Sequence, residues 1–291
     1  MNQNFFISNK IYSIFKAAIR YIEFDGNANR YSKKSHRLFI GFAKQKNLRK
    51  IFLNNQKSEI IAILQAHAQP KNAEGMMRFG ITSSVTILGV PSKIIFSLAK
   101  EIGTNHRLAL ELWKSGYYES RILAAIIADR NCVTRSLMQL WARDFDNWAI
   151  CDGVCIHCFR YSPYAYNIVP TLVKSKKEFA RRAGFSLIAA LTVSDKKSND
   201  ETFIRYLKLV QLYSTDDRQY VKKAVNWALR QIGKRNLRLN AAAINTAKGI
   251  YKLDSASAHW IASDALRELQ SKAVQNRLRA NAKHVVKNYK H

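Results

Sequence analysis

From residue 57 onward the chain repeats one local pattern: helical stretches of roughly 10–15 residues alternate with short polar connectors. No run with the two-residue alternation of a half-buried strand interrupts them. The punctuation is that of helices. In GVPSKIIFSLAKEIG (89–103) Pro91 suits a first-turn position and Gly103 a stop; in TNHRLALELWKSG (104–116) Asn105 can cap and Gly116 can end the helix. STDDRQYVKKAVNWALRQIG (214–233) predicts a helix capped by Ser214 or Thr215, with acids in its first turn and Gly233 after basic residues.

Many helices of similar length, joined by connectors of a few residues, imply antiparallel neighbours. A chain this long cannot wrap them all around one small bundle core. The expected fold is therefore all-α, an α-α superhelix of stacked HEAT- or armadillo-like helical hairpins with a concave basic face. No strict repeat is visible in the letters, so the periodicity is architectural.

Charge narrows the partner class. There are 48 Lys+Arg against 20 Asp+Glu, a net charge of +28 with a pI near 10.1. Such a field collects polyanions, which puts nucleic acid first and an anionic membrane surface second. Residues 1–50 hold eleven Lys/Arg and two acids, and IYSIFKAAIRYIEF (11–24) has apolar residues at helical spacing. The expected organisation is a basic appendage over 1–56 with one amphipathic helix, and a main domain over 57–291. The four cysteines are too few and too clustered for a secreted disulfide framework, and neither a cleavable leader nor an apolar run of membrane-spanning length is visible. The expectation is a cytoplasmic, nucleoid-associated protein with no membrane partner.

Three of the cysteines fall in CDGVCIHC (151–158), a C-x₃-C-x₂-C spacing like that of a radical iron–sulfur cluster loop. Such a loop follows a barrel strand, and no strand is expected here. On a helix, Cys151, Cys155 and Cys158 share one stripe while Trp148 and Asp152 share a neighbouring one. The thiols are expected to pack as small hydrophobes, with no metal and no cofactor. Asp152, in an otherwise apolar segment, is either paired with an arginine or caps a helix, or else it carries chemistry.

Four stretches, GMMRFGITSSVTILGVP (75–91), DFDNWAICD (144–152), EFARRAGFSLIAAL (178–191) and DRQYVKKAVNWALRQIGKRN (217–236), occur in an order and at separations that resemble the AlkD-type DNA alkylation repair glycosylases, HEAT-like repeat proteins that release alkylated purines. The resemblance covers roughly residues 57–270. It implies that Asp152 is the catalytic carboxylate and that Trp148, four residues earlier, is a lesion-flanking aromatic. It further implies that Trp227 in KAVNWALR is the second such tryptophan, that Arg182 contacts the DNA backbone, and that Phe79 in MRFG is the aromatic of a further motif. Ala149 stands where many relatives have an acid. Trp113, Trp141 and Trp260 are expected in the core.

The chemistry suits these residue types. Alkylation at N3 or N7 puts positive charge on a purine and makes it a good leaving group. Cleavage of the glycosidic bond then develops cationic character on the sugar, which a carboxylate stabilises while it aligns water. The expected activity is therefore that of a monomeric, monofunctional DNA glycosylase acting on duplex DNA with cationic N3- or N7-alkylpurines, without a lyase step. The alternatives are a non-catalytic protein of the same fold that binds distorted or branched DNA and, more weakly, a protein-interaction scaffold.

Overall fold

The computed structural model describes residues 57–288. The amphipathic helix expected over 11–24, with the rest of the basic segment 1–56, lies outside them. Fourteen α-helices follow one another: α1 (Lys57–Ala66), α2 (Pro70–Arg78), α3 (Ser92–Ile102), α4 (His106–Trp113), α5 (Tyr118–Ile127), α6 (Arg135–Arg143) and α7 (Trp148–His157). The second half holds α8 (Ala165–Val173), α9 (Glu178–Ser194), α10 (Asp200–Leu212), α11 (Gln219–Gly233), α12 (Leu237–Tyr251), α13 (Ala256–Leu269) and α14 (Lys272–Asn288). An isolated bridge between Thr86 and Tyr117 is the only β pairing among the described residues.

Polar side chains start many of these helices. Asn105, Thr134, Asn147, Asn199, Asn236 and Ser255 each accept a hydrogen bond from a backbone N–H of the first turn. Such a cap typically stabilises a helix by about 1 kcal/mol. Pro91 sits one residue before α3 as its cap, and Gly103 ends that helix at φ 69°. The segment 214–218 departs from expectation. Ser214 is buried and donates to the Gln211 carbonyl, which closes α10, and α11 begins only at Gln219. The reason is Asp216, whose carboxylate takes the Arg218 backbone N–H at 3.2 Å and the guanidinium groups of Arg181 and Arg218, holding a connector where the sequence suggested a first turn.

The helices form two layers. In one, α5, α7, α9, α11 and α13 stack in succession; in the other, α6 packs on α8, α10 on α12, and α12 on α14. The pairs α4–α5, α8–α9, α10–α11 and α12–α13 join the layers. This is an α-α superhelix of helical hairpins. Close approach is built into it. A Cβ on Gly184 of α9 would lie 2.5 Å from Val173 Cγ1, so only glycine lets α8 sit this near. Pro170 inside α8 cannot donate to the Tyr166 carbonyl, which instead accepts from the Tyr206 hydroxyl at 3.4 Å.

The core runs the length of the stack. Trp113 and Trp141 are buried and stack with ring centroids 4.1 Å apart, and Trp113 Nε1 donates to Asp144 Oδ2 at 2.7 Å. Trp260 does not join them: it is 42% exposed on α13, whose buried face is filled by smaller residues such as Ala258, Ile261 and Ala265. The basic C-terminal segment forms α14, anchored by buried Val274 and Leu278 with Arg277 and Arg279 exposed. Among the described residues no helix is long and apolar enough to cross a membrane.

Candidate functional site

Asp152 is the fifth residue of α7, Arg182 the fifth of α9 and Tyr220 the second of α11. Consecutive helices of one layer thus bring their N-terminal turns together, where helix dipoles favour negative charge. Arg182 Nε donates to Asp152 Oδ1 at 3.0 Å, Nη2 to Oδ2 at 2.6 Å, and Nη1 to the Tyr220 carbonyl at 2.7 Å. The fully buried Ser186, one turn along α9, donates to Asp152 Oδ1 at 2.6 Å. Oδ1 therefore has two donors and Oδ2 one. With 15% of the Asp152 side chain exposed, Oδ2 is the oxygen with acceptor capacity left.

Burial opposes the charge of Arg182, yet the adjacent Asp152 carboxylate outweighs it and holds the guanidinium above its ordinary pKa. Tyr118, at the start of α5, is pushed well above the ordinary phenol value by burial first and by the carboxylates of Glu119, Asp146 and Asp152 next. It stays neutral beside the site.

Phe79 follows α2 and is 78% exposed, held out by backbone ties rather than by packing of its ring. Trp148 Nε1 donates to the Phe79 carbonyl at 3.1 Å, and the Tyr220 hydroxyl reaches the Gly80 carbonyl at 3.4 Å. Gly80 adopts φ 74°, and a Cβ there would fall 2.5 Å from the Tyr220 hydroxyl. The loop after it is fastened by two more carboxylates. Asp146 Oδ2 accepts from the Ser84 N–H at 2.6 Å and from the Ser83 and Ser84 hydroxyls. Buried Glu119 accepts from the N–H groups of Leu88, Gly89 and Val90.

Four of the residues singled out in the sequence, Phe79, Trp148, Asp152 and Arg182, thus belong to one hydrogen-bonded assembly. Trp148 is half-buried against the core. Trp227 is half-buried on α11, seven residues beyond Tyr220, and among the described residues it has no hydrogen bond or ring contact with that assembly. Sequence reasoning missed Ser186 and Tyr220. Each lies inside a motif that had been recognised, and helical spacing from Arg182 and Trp227 is the signal that could have found them.

Cys151 and Cys155 lie on a stripe of α7 next to that of Asp152, and Cys158 caps the end of the helix. Cys151, Cys155 and Cys158 are buried, and the first two donate to the carbonyls of Phe179 and Ala183 at 3.4 Å. Burial pushes the Cys158 thiol up to about 12, so it is held protonated as a packing group. Among the described residues no three His, Cys, Asp or Glu side chains converge to hold a metal ion. Two grooves, one of about 430 Å³ beside Asn240, Lys248 and Gln275 and one of about 240 Å³ beside Arg181, Asp216 and Arg218, are lined by residues other than Asp152.

Comparison with solved structures gives a match at 21% identity and TM-score 0.65, over 77% of this chain and 96% of the other. That protein is described as one of a new family related to the HEAT-like repeat DNA glycosylases, with affinity for branched DNA structures. An engineered protein matches at 12% identity and TM-score 0.35, over 62% of this chain and 51% of its own, too distant to carry an argument. Among curated proteins nothing matches. A family model described as DNA alkylation repair enzyme matches residues 60–283. With that match over most of the chain and the HEAT-like superhelix beneath it, this chain belongs to the DNA alkylation repair enzyme family.

Proposed function

We propose that the protein is a monofunctional DNA glycosylase that hydrolyses the N-glycosidic bond of cationic N3- or N7-alkylpurines in duplex DNA. The observation that carries this reading is Asp152, a carboxylate held in one orientation by Arg182 and Ser186, partly open to solvent and standing one turn after Trp148.

In this reading the alkylated purine departs with the glycosidic electron pair and needs no protonation, since its own positive charge is neutralised as it leaves. Cationic character grows on the deoxyribose. The Asp152 carboxylate stabilises it, and Oδ2 aligns the water that adds to the anomeric carbon and accepts the proton that the water gives up. The two Arg182 bonds fix the plane of the carboxylate, so little reorganisation is needed as charge develops. Trp148 and Trp227 supply faces for the sugar, each worth about 0.5–2 kcal/mol toward a nearby positive charge. Arg182 has five N–H donors, of which three are taken by Asp152 and Tyr220, so two remain to meet a phosphate. Phe79 would press on the duplex beside the lesion. In this reading the lesion is caught from the exposed backbone, without burial of the base in a deep pocket. The protein would work as a monomer in the nucleoid, with its basic field drawing DNA in.

A second reading, a non-catalytic protein for branched DNA on the same scaffold, is favoured by the description of the solved neighbour and by the ion pair that occupies Asp152. Incubation with DNA that carries 7-methylguanine separates the two: free base is released in the first reading, and DNA is bound without release in the second.

A further inference from the structure

Trp260 is the largest side chain on α13 and is left 42% exposed. A lone exposed aromatic is ordinary on a protein surface. Three observations set this one apart.

The seam between α11 and α13 is a polar ladder. Asn226 Nδ2 donates to Asp264 Oδ2 at 2.7 Å, Arg230 pairs with Glu268 at 2.6 Å, and Lys234 with Glu268 at 2.6 Å. One turn toward the N-terminal end, the ladder changes character: Lys222 Nζ lies 5.3 Å from the Trp260 ring centroid. The ladder fixes the register, so this ammonium–indole contact is built in.

Charge is divided along the seam. Its C-terminal half is neutralised by Asp264 and Glu268, whereas among the described residues no carboxylate pairs Lys222 or Lys223. The unneutralised end is the one beside Tyr220, whose carbonyl holds Arg182.

The repeat itself places Trp260. Asn226 and Asp264, Arg230 and Glu268, and Lys222 and Trp260 are each 38 residues apart, so Trp260 on α13 continues the register of the ladder opposite Lys222 on α11. Stacked repeats present equivalent positions along one face.

We propose that Trp260, with Lys222 and Lys223, forms a second nucleic-acid subsite that stacks the base of an unpaired nucleotide on the indole while the ammonium groups hold its flanking phosphates. This rests on the reading that the protein binds DNA and is independent of whether Asp152 is catalytic. The ligand chemistry follows from the geometry. A base inside a continuous duplex has both faces covered by its neighbours, so an indole reaches a base face only where the stack is interrupted. The two lysines supply the sequence-independent attraction for backbone that keeps such a strand in place.

The experiment compares two DNAs of equal length, a continuous duplex and the same duplex with a short single-stranded gap. Trp260→Ala is expected to weaken binding of the gapped DNA about tenfold and of the continuous duplex by no more than about twofold. Trp260→Phe should keep most of the affinity for gapped DNA. Lys222→Ala should weaken both and lower the slope of log affinity against log salt by about one unit. Equal losses on the two DNAs, or unchanged affinity for the gapped one, overturn the subsite while the DNA reading stands. Wild-type protein that binds neither DNA overturns both. Trp260→Gln provides a second exposed-site variant with the same expected contrast, and melting followed by circular dichroism shows that each variant is folded.

Discussion

Arg182 and Asp152 face each other through two parallel hydrogen bonds, at 3.0 and 2.6 Å, with only 8% and 15% of their side chains exposed. An ion pair this sheltered is costly to break from one side, because the remaining charge loses its partner but not its burial. Arg182→Ala alone is expected to lower the unfolding free energy by about 3 kcal/mol. In the double variant Asp152→Asn with Arg182→Gln, the two losses should overlap by at least about 1 kcal/mol in urea unfolding. Strict additivity would mean that the pair is not coupled in solution.

Ser186 is a fully buried hydroxyl whose hydrogen bond at 2.6 Å ends on the carboxylate. Ser186→Ala removes one of the two donors on Oδ1 and frees Asp152 to turn about Arg182. The expected result is a fall of about tenfold in the rate of base release at saturating enzyme, with DNA affinity nearly unchanged, because misalignment affects the chemical step and not docking. A loss confined to affinity would assign Ser186 to binding.

Gly80 and Gly75 are five residues apart and should respond in opposite ways. At Gly80, φ 74° and the Tyr220 hydroxyl 2.5 Å from the position of a Cβ make Gly80→Ala destabilising by about 1–2 kcal/mol. It should also weaken DNA binding by loosening the turn that presents Phe79. Gly75 lies inside α2, and nothing stands within 4 Å of a Cβ there. Gly75→Ala should stabilise by up to about 1 kcal/mol. Thermal unfolding of the two variants checks the contrast.

How much of this was legible in the letters depended on range. Helix and repeat architecture follow from local periodicity and caps, and Asn105 and Gly103 act as the sequence says. The thiol stripe beside that of Asp152 was legible for the same reason, since both belong to one helix. The beginning of α11 was not, because Asp216 is drawn into a connector by Arg181, which lies 35 residues away. Trp260 was misplaced in the core for a related reason: its exposure follows from the small residues that suffice under α13 and from the register of that helix against α11. The partners of Asp152 were beyond local reasoning too, since Ser186 and Arg182 reach it across 30 or more residues.

Acid should unfold the protein through a few carboxylates. The Tyr166 hydroxyl leads the groups that hold Asp195 below the ordinary carboxylate range, opposed by burial. For Asp216 burial is the largest influence and raises its pKa, but Arg218 and Arg181 together reverse it; Glu268 is likewise lowered by Lys234 and Arg230 against burial. Since these folded values lie below the unfolded ones, the unfolded chain binds more protons as the medium is acidified. Their stabilisation is complete above the unfolded carboxylate pKa, near about 4, and is lost as the pH falls through the folded values. Melting temperature should drop steadily below about pH 4, and Asp195→Asn should flatten that drop.

The most direct test of the proposed function is release of free 7-methylguanine from duplex DNA by the wild-type protein and by Asp152→Asn, with DNA binding measured on both. Wild-type protein is expected to release the base, Asp152→Asn to bind the DNA and release the base at least about a hundredfold more slowly, and neither protein to cut the strand. Release at equal rates by both proteins would remove Asp152 from the chemistry, and tight binding with no release by either would contradict the glycosylase reading itself.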